Sequence, residues 1–204
     1  MEKVLNIGVL VSGSGSNLQS ILDACAANKV KARVVCVISN KADAYALERA
    51  RNCGIPALHL DHRAYSGREG YDEALVATLR EFGVELVVMA GFMRIITEVL
   101  LEAFPMAVMN IHPALLPAFP GMHAQRQALE YGVKSAGCTV HFVDCGTDTG
   151  PIIIQATVPV MEGDTEETLS ARIQKEEHRI YPEAVRLFAE GRLKVEGRRV
   201  AIAP

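Results

Sequence analysis

The stretch of sequence that decides the fold is LNIGVLVSGSGSNLQSILDAC, residues 5–25. Its first seven residues are almost all apolar, which is typical of a β-strand buried on both faces. A loop of glycines and serines follows at residues 12–17, and apolar residues then recur at helical spacing from residue 18 to residue 25. The stretch therefore predicts a strand, a tight turn and a helix in direct succession.

Strand-like and helix-like segments alternate onward from that stretch through the first half of the chain. Further strands are predicted at residues 33–38, 57–60 and 86–90, and further helices at residues 45–53 and 69–82. Repeated alternation of this kind favours parallel strands joined by crossover helices. We therefore predict an α/β fold with a doubly wound, mostly parallel sheet of the Rossmann-like kind.

The second half of the chain has a different pattern. Three prolines make residues 112–121 a loop, and a helix is predicted at residues 123–131. Two strands at residues 139–143 and 152–160 are separated by a short loop, which predicts an antiparallel C-terminal extension of the sheet. A long helix is expected at residues 165–189, and the tail at residues 192–204 is consistent with a short hairpin. The whole chain, residues 1–204, is interpreted as a single domain.

Composition excludes several classes of function. The chain has 204 residues and a net charge of -3, which does not favour a nucleic-acid partner. No apolar run is long enough to span a membrane, and no signal-peptide pattern precedes the first strand. The 5 cysteines show no CxxC spacing, which is typical of reduced thiols in a cytoplasmic protein. The sequence therefore predicts a cytoplasmic protein.

Asn110 and His112 follow an apolar stretch two residues apart, at the start of the proline-rich loop. If that stretch is a strand, both side chains point to the same side at its carboxyl end, where open α/β folds bind their ligands. An amide can donate to a developing oxyanion, and an imidazole can exchange a proton near neutral pH. Asp148 lies in the loop between the two antiparallel strands and can orient the histidine. These three residues are predicted to form an acyl-transfer site.

The glycine-rich turn, the segment at residues 90–96 and a metal site each allow more than one interpretation. Backbone amides of the turn can cradle a phosphate, but Leu18 replaces the third glycine of a dinucleotide fingerprint, so a plain tight turn stays open. The segment at residues 90–96 is either a core-packing loop or a slot for a flat ring. The histidines and Asp148 match no metal-ligand spacing, and no metal is expected.

Taken together, the motifs of the chain resemble those of the phosphoribosylglycinamide formyltransferase (glycinamide ribonucleotide transformylase) family of folate-dependent formyltransferases. The resemblance extends over roughly residues 7–193 and rests on SGSGSNLQ at 12–19, SN at 39–40, AGFMRI at 90–95, NIHP at 110–113, LLP at 115–117, GCTVHFV at 137–143, DTGPI at 148–152 and QKEEH at 174–178. Motifs in this number and order are far more specific than the glycine turn alone.

The resemblance implies a role for each matching position. The catalytic residues would be Asn110, His112 and Asp148. The ribonucleotide would be bound by Gly15, Ser16, Asn17 and Glu177, and the folate by Arg68, Met93, Arg94, Ile95, Ile96 and Asn110. The half at about residues 1–105 would hold the phosphate, and the half at about residues 106–193 would carry catalysis and folate binding.

The implied reaction transfers a formyl group from the cosubstrate 10-formyltetrahydrofolate to the amine of glycinamide ribonucleotide, in de novo purine (IMP) biosynthesis. No metal is required, no nucleic acid or membrane takes part, and the protein is expected to be a monomer or homodimer. Two alternatives remain. One is a formyltetrahydrofolate hydrolase without the regulatory domain that such relatives carry ahead of the first strand. The other is a nucleotide-binding module without catalytic chemistry.

Overall fold

The computed structural model describes residues 3–203, and the chain divides into two compact units, one ending at Asn110 and the other beginning at Ile111. The interpretation of the chain as one domain remains a prediction. Among residues 3–203, no helix is both long and apolar enough to cross a membrane.

The first unit is built on parallel strands. They are β1 (Leu5–Val11), β2 (Ala32–Ser39), β3 (Ala57–His59), β4 (Leu86–Met89) and β5 (Val108–His112), which starts in this unit and ends in the next. Their order is β3-β2-β1-β4-β5, and each neighbouring pair runs parallel. The helices are α1 (Ser16–Ala26), α2 (Tyr45–Asn52), α3 (Gly67–Glu81) and α4 (Glu98–Ala103). Because β1 lies near the middle, the loop after it has neighbouring loops from both sides.

The core of this unit follows from the apolar runs. Ile7, Val9 and Leu10 of β1 are fully buried, and all four residues of β4 are buried. At Gly8 a side chain would meet Leu79 of α3 at 2.5 Å, so the glycine lets that helix pack directly on the strand. Continuous burial of this kind explains why these strands show apolar runs instead of alternation.

The second unit contains mainly antiparallel strands. The strands β6 (Ser135–Phe142) and β7 (Ile152–Pro159) pair antiparallel, and the tail forms the antiparallel pair β8 (Leu193–Glu196) and β9 (Arg199–Ile202). The helices α5 (Ala124–Tyr131) and α6 (Glu166–Ala189) complete this unit. The predicted α/β class, with parallel strands first and an antiparallel C-terminal extension, is confirmed.

Two short elements did not appear in the sequence pattern. They are a 3₁₀ turn at His62–Ala64 and helix α4. Neither is long enough to show a helical repeat of apolar residues, because a periodic signal needs a window of about eleven residues or more. The remaining elements lie within a few residues of their predicted bounds.

Candidate active site

His112 and Asp148 form the centre of the candidate site. His112 ends β5 with a buried side chain, and its Nδ1 lies 3.3 Å from Oδ2 of Asp148, which belongs to the loop between β6 and β7. Asp148 adopts a left-handed backbone conformation with φ 54°. That conformation is uncommon outside glycine, but aspartate tolerates it better than most residues. The predicted pairing of these two residues is thus present in the geometry.

Both ring nitrogens of His112 face oxygen atoms that only accept hydrogen bonds. Nε2 lies 2.8 Å from the carbonyl oxygen of Phe119, and Nδ1 faces the Asp148 carboxylate. A neutral imidazole carries one N–H and can donate to only one of these acceptors, whereas an imidazolium can donate to both. The ring of His112 is therefore held between two acceptor atoms, one on each side.

Asp148 is held by more than His112. The backbone N–H of Gly121 donates to its Oδ2 at 2.8 Å, and Nε2 of His141 lies 3.7 Å from its Oδ1. Burial alone would raise the pKa of the Asp148 carboxyl, but the bonds from His141 and Gly121 and the nearby His112 hold that pKa below its usual value. The carboxylate is therefore charged at neutral pH and can orient the imidazole.

His141 is the site residue that the sequence pattern did not assign a role. It lies in β6 and is almost fully buried, with Nδ1 2.8 Å from the carbonyl oxygen of Phe142. A histidine within the otherwise apolar and hydroxyl-bearing run of β6 is the only signal for it in the sequence. Its ring lies beside Oδ1 of Asp148, the carboxylate oxygen that does not face His112.

Asn110 lies on the same strand as His112. It is half-buried at the position of β5 that pairs with Met89 of β4. Two residues along a strand return to the same face, so the amide and the imidazole share a face of β5, as predicted.

The glycine-rich turn is held from behind by α2. The carbonyl oxygens of Gly13 and Ser14 accept hydrogen bonds from Ala46 N at 3.0 Å and Arg49 Nε at 2.8 Å. Gly15 has φ 72°, and a side chain there would meet the Cβ of Ala46 at 2.6 Å, so only glycine fits. With the carbonyls turned toward α2, the turn leads into the N-terminus of α1, whose first turn contains no acidic residue. This arrangement suits an anion.

The segment at residues 93–96 follows β4 and exposes apolar side chains. Met93 and Ile95 are 66% and 58% exposed, while Ile96 is buried. Before this segment the chain turns sharply out of β4 at Gly91, whose φ of 74° permits the turn. Exposed apolar side chains on an anchored backbone suit contact with a flat ring.

Arg68 and Glu177 are the two remaining predicted residues. Arg68 is exposed in the first turn of α3 and makes no hydrogen bond or ion pair with any residue from 3 to 203, so nothing in the described contacts joins it to the 93–96 segment. Glu177 is a buried acid on α6, with 9% of its surface exposed, and is not part of a solvated helix face.

The chain is similar to known proteins over nearly its whole length. A family model described as formyl transferase matches residues 5–185. Phosphoribosylglycinamide formyltransferase of Escherichia coli (strain K12) is 50% identical over 191 residues, which are 94% of this chain and 90% of the relative. The human trifunctional purine biosynthetic protein adenosine-3 is 43% identical over 194 residues, but this chain spans only 19% of its length. The crystal structure of glycinamide ribonucleotide transformylase 1 from Symbiobacterium toebii matches with a TM-score of 0.98 and 62% identity, over 98% of this chain and 95% of that one. The chain therefore belongs to the formyl transferase family.

Proposed function

We propose that this protein transfers a formyl group from 10-formyltetrahydrofolate to the amine of glycinamide ribonucleotide, as a step of de novo purine biosynthesis. The observation that carries the proposal is the buried His112–Asp148 pair, with Nδ1 and Oδ2 3.3 Å apart and Nε2 directed at a carbonyl oxygen 2.8 Å away. Asp148 fixes the ring through Nδ1, and Nε2 would donate to a developing oxyanion in place of that carbonyl. The family membership and the names of the relatives support the substrates.

The reaction follows from the roles of these side chains. The amine nitrogen of the ribonucleotide attacks the formyl carbon and forms a C–N bond, while the carbonyl electron pair moves onto oxygen. Asn110 and the protonated His112 would donate to that oxyanion, which would replace the Phe119 carbonyl oxygen at Nε2. Asp148 would hold the imidazole in orientation through Nδ1. The bond from the formyl carbon to N10 of the folate then breaks. The proton lost by the amine ends on N10, through His112 or a water molecule. The formyl donor is already activated, so no metal is needed.

Substrate contacts are assigned to the remaining residues. The phosphate of the ribonucleotide would bind the backbone amides at Gly15, Ser16 and Asn17, and Glu177 would face its amine side. The folate would contact Arg68 and the segment Met93, Arg94, Ile95 and Ile96, together with Asn110. The helix N-terminus at the turn and the exposed apolar side chains of the segment support these assignments.

The cellular setting completes the proposal. Within residues 3–203 all five cysteines are unpaired, which agrees with a reducing compartment and a cytoplasmic location. The partners would be the two small-molecule substrates, with neither nucleic acid nor membrane involved. The protein would act as a monomer or homodimer, which sedimentation of the purified protein would decide.

One assay tests the function. The purified protein is mixed with glycinamide ribonucleotide and 10-formyltetrahydrofolate, and the folate absorbance is followed. We expect folate turnover that depends on the ribonucleotide and yields one formylated amine per folate consumed. Folate turnover without the ribonucleotide would support the hydrolase instead. No turnover under either condition would support a binding module.

A further inference from the structure

Ser12 is a buried polar residue that the proposed reaction does not use. It follows the last residue of β1 and opens the glycine-rich turn, and only 5% of its surface is exposed. Its hydroxyl donates to Oδ1 of Asn40 at 2.6 Å and accepts from the backbone N–H of Met93 at 2.8 Å. Its own backbone N–H donates to the carbonyl oxygen of Gly91 at 3.1 Å. One residue therefore joins the loops that follow three neighbouring parallel strands.

The chemistry of this junction allows little substitution. A hydroxyl has one hydrogen to donate and lone pairs to accept with. Asn40, which is also 5% exposed, takes the hydrogen with its carbonyl oxygen. A lone pair of the Ser12 oxygen is then directed at Met93. Replacing the hydroxyl would leave a buried acceptor on Asn40 and the Met93 N–H without this partner, which is costly.

The segment that begins at Met93 depends on such backbone anchors. The side chains of Met93 and Ile95 are mostly exposed, so core packing of these two side chains does not fix the conformation of the segment. At the far end, Oδ2 of the buried Asp72 accepts from the N–H and the hydroxyl of Thr97 at 2.5 Å and 2.8 Å. Side chains therefore hold the backbone at both ends of the segment, while the side chains of Met93 and Ile95 face outward.

We propose that Ser12, oriented by Asn40, is a positioning residue that fixes the 93–96 segment for the folate. Ser12 acts through the backbone of Met93 and needs no contact with either substrate. The inference rests on the proposed function, because it takes this segment as the folate contact. The glycine-rich turn has separate hydrogen bonds to α2 at Gly13 and Ser14. Loss of the Ser12 hydroxyl should therefore weaken folate binding more than ribonucleotide binding.

The test compares Ser12→Ala with Ser135→Ala, an identical change at an exposed serine at the start of β6. Binding of tetrahydrofolate and of glycinamide ribonucleotide is measured by titration calorimetry. For Ser12→Ala we expect folate affinity to fall about tenfold, as for one lost buried hydrogen bond, and ribonucleotide affinity to change less than about threefold. Hydrogen exchange at the Met93 amide should accelerate. Ser135→Ala should change none of these quantities, and Ser12→Thr should restore part of the folate affinity.

Two results would overturn the inference. One is equal folate affinity in Ser12→Ala and Ser135→Ala. The other is an equal loss of affinity for both substrates together with a lower unfolding temperature, which would mean a general structural role. If Ser12→Ala does not fold, Asn40→Ala provides the same test, and we expect a smaller loss of folate affinity. Unchanged folate affinity in Asn40→Ala would contradict the inference. A wild-type protein that fails to formylate the ribonucleotide would instead refute the proposed function.

Discussion

At the scale of single residues, the charge of Asp148 is the property on which His112 depends. The carboxylate lies against Nδ1, and its lowered pKa keeps it ionised at neutral pH. Replacing Asp148 with Asn keeps the size and removes the charge, so His112 loses its electrostatic partner. We expect single-turnover rates to fall by about a hundredfold or more, with both substrate affinities nearly unchanged. His112→Ala serves as the reference. Near-normal rates for Asp148→Asn beside an inactive His112→Ala would show that His112 works alone.

His141 should have a smaller, supporting effect. Its Nε2 lies 3.7 Å from Asp148 Oδ1, so its loss would release one side of the carboxylate while the Gly121 bond to Oδ2 remains. His141→Phe keeps a ring and removes both nitrogens. We expect turnover to fall about tenfold, as for one hydrogen bond to a charged group, and the pH profile of turnover to shift. The exposed His59 provides a control, since His59→Phe should leave turnover unchanged. Equal turnover rates in His141→Phe and His59→Phe would show that His141 has no role in the reaction.

At the scale of elements, the glycine-rich turn depends on the close approach of α2. Gly15 combines a positive φ with direct contact to Ala46, whereas Gly13 has open space around it and no positive φ. We expect Gly15→Ala to weaken ribonucleotide binding at least tenfold and to destabilise the fold by about 1 kcal/mol or more. Gly13→Ala is the matched control and should change neither quantity. Calorimetric titration and urea unfolding measure the two effects. Normal binding by Gly15→Ala would show that this turn does not hold the phosphate.

At the scale of the whole molecule, the buried carboxyl of Asp72 makes stability depend on pH. Burial raises the pKa of the Asp72 carboxyl above its usual value of 3.8. The hydrogen bonds from Thr97 and the charge of Arg94 offset this rise only in part. The folded protein then binds the proton more tightly than the unfolded chain does. The stability contributed by the protonated carboxyl is therefore present at acidic pH and is lost as pH rises through the folded pKa.

Asp72→Asn removes this titration and keeps an oxygen to accept from Thr97. We expect the free energy of unfolding of the variant, relative to wild type, to increase as pH rises from about 4 to about 8. Urea unfolding at several pH values measures it. Glu73→Gln, an exposed acid at the next position of α3, should show no such trend. A constant difference between wild type and Asp72→Asn at all pH values would contradict the prediction.

The sequence by itself determined the class of fold and most of the elements. Apolar runs and helical spacing are local patterns, so they identify the strands from β1 to β5, the longer helices and the antiparallel pair β6 and β7. The spacing of Asn110 and His112 on one strand is also local. It was sufficient to predict an amide and an imidazole on one face of the strand before any contact was known.

Only the tertiary structure decided which distant side chains meet. Ser12 contacts partners 28 and 81 residues away in sequence, and Gly121 reaches Asp148 across 27 residues. His141 and Asp72 gain their roles from a carboxylate and a threonine that no periodic pattern relates to them. Periodicity reports which face of an element is buried but carries no information on the partner across the interface. Hydrogen bonds between loops depend on how strands are ordered in the sheet, and that order exists only in the folded chain.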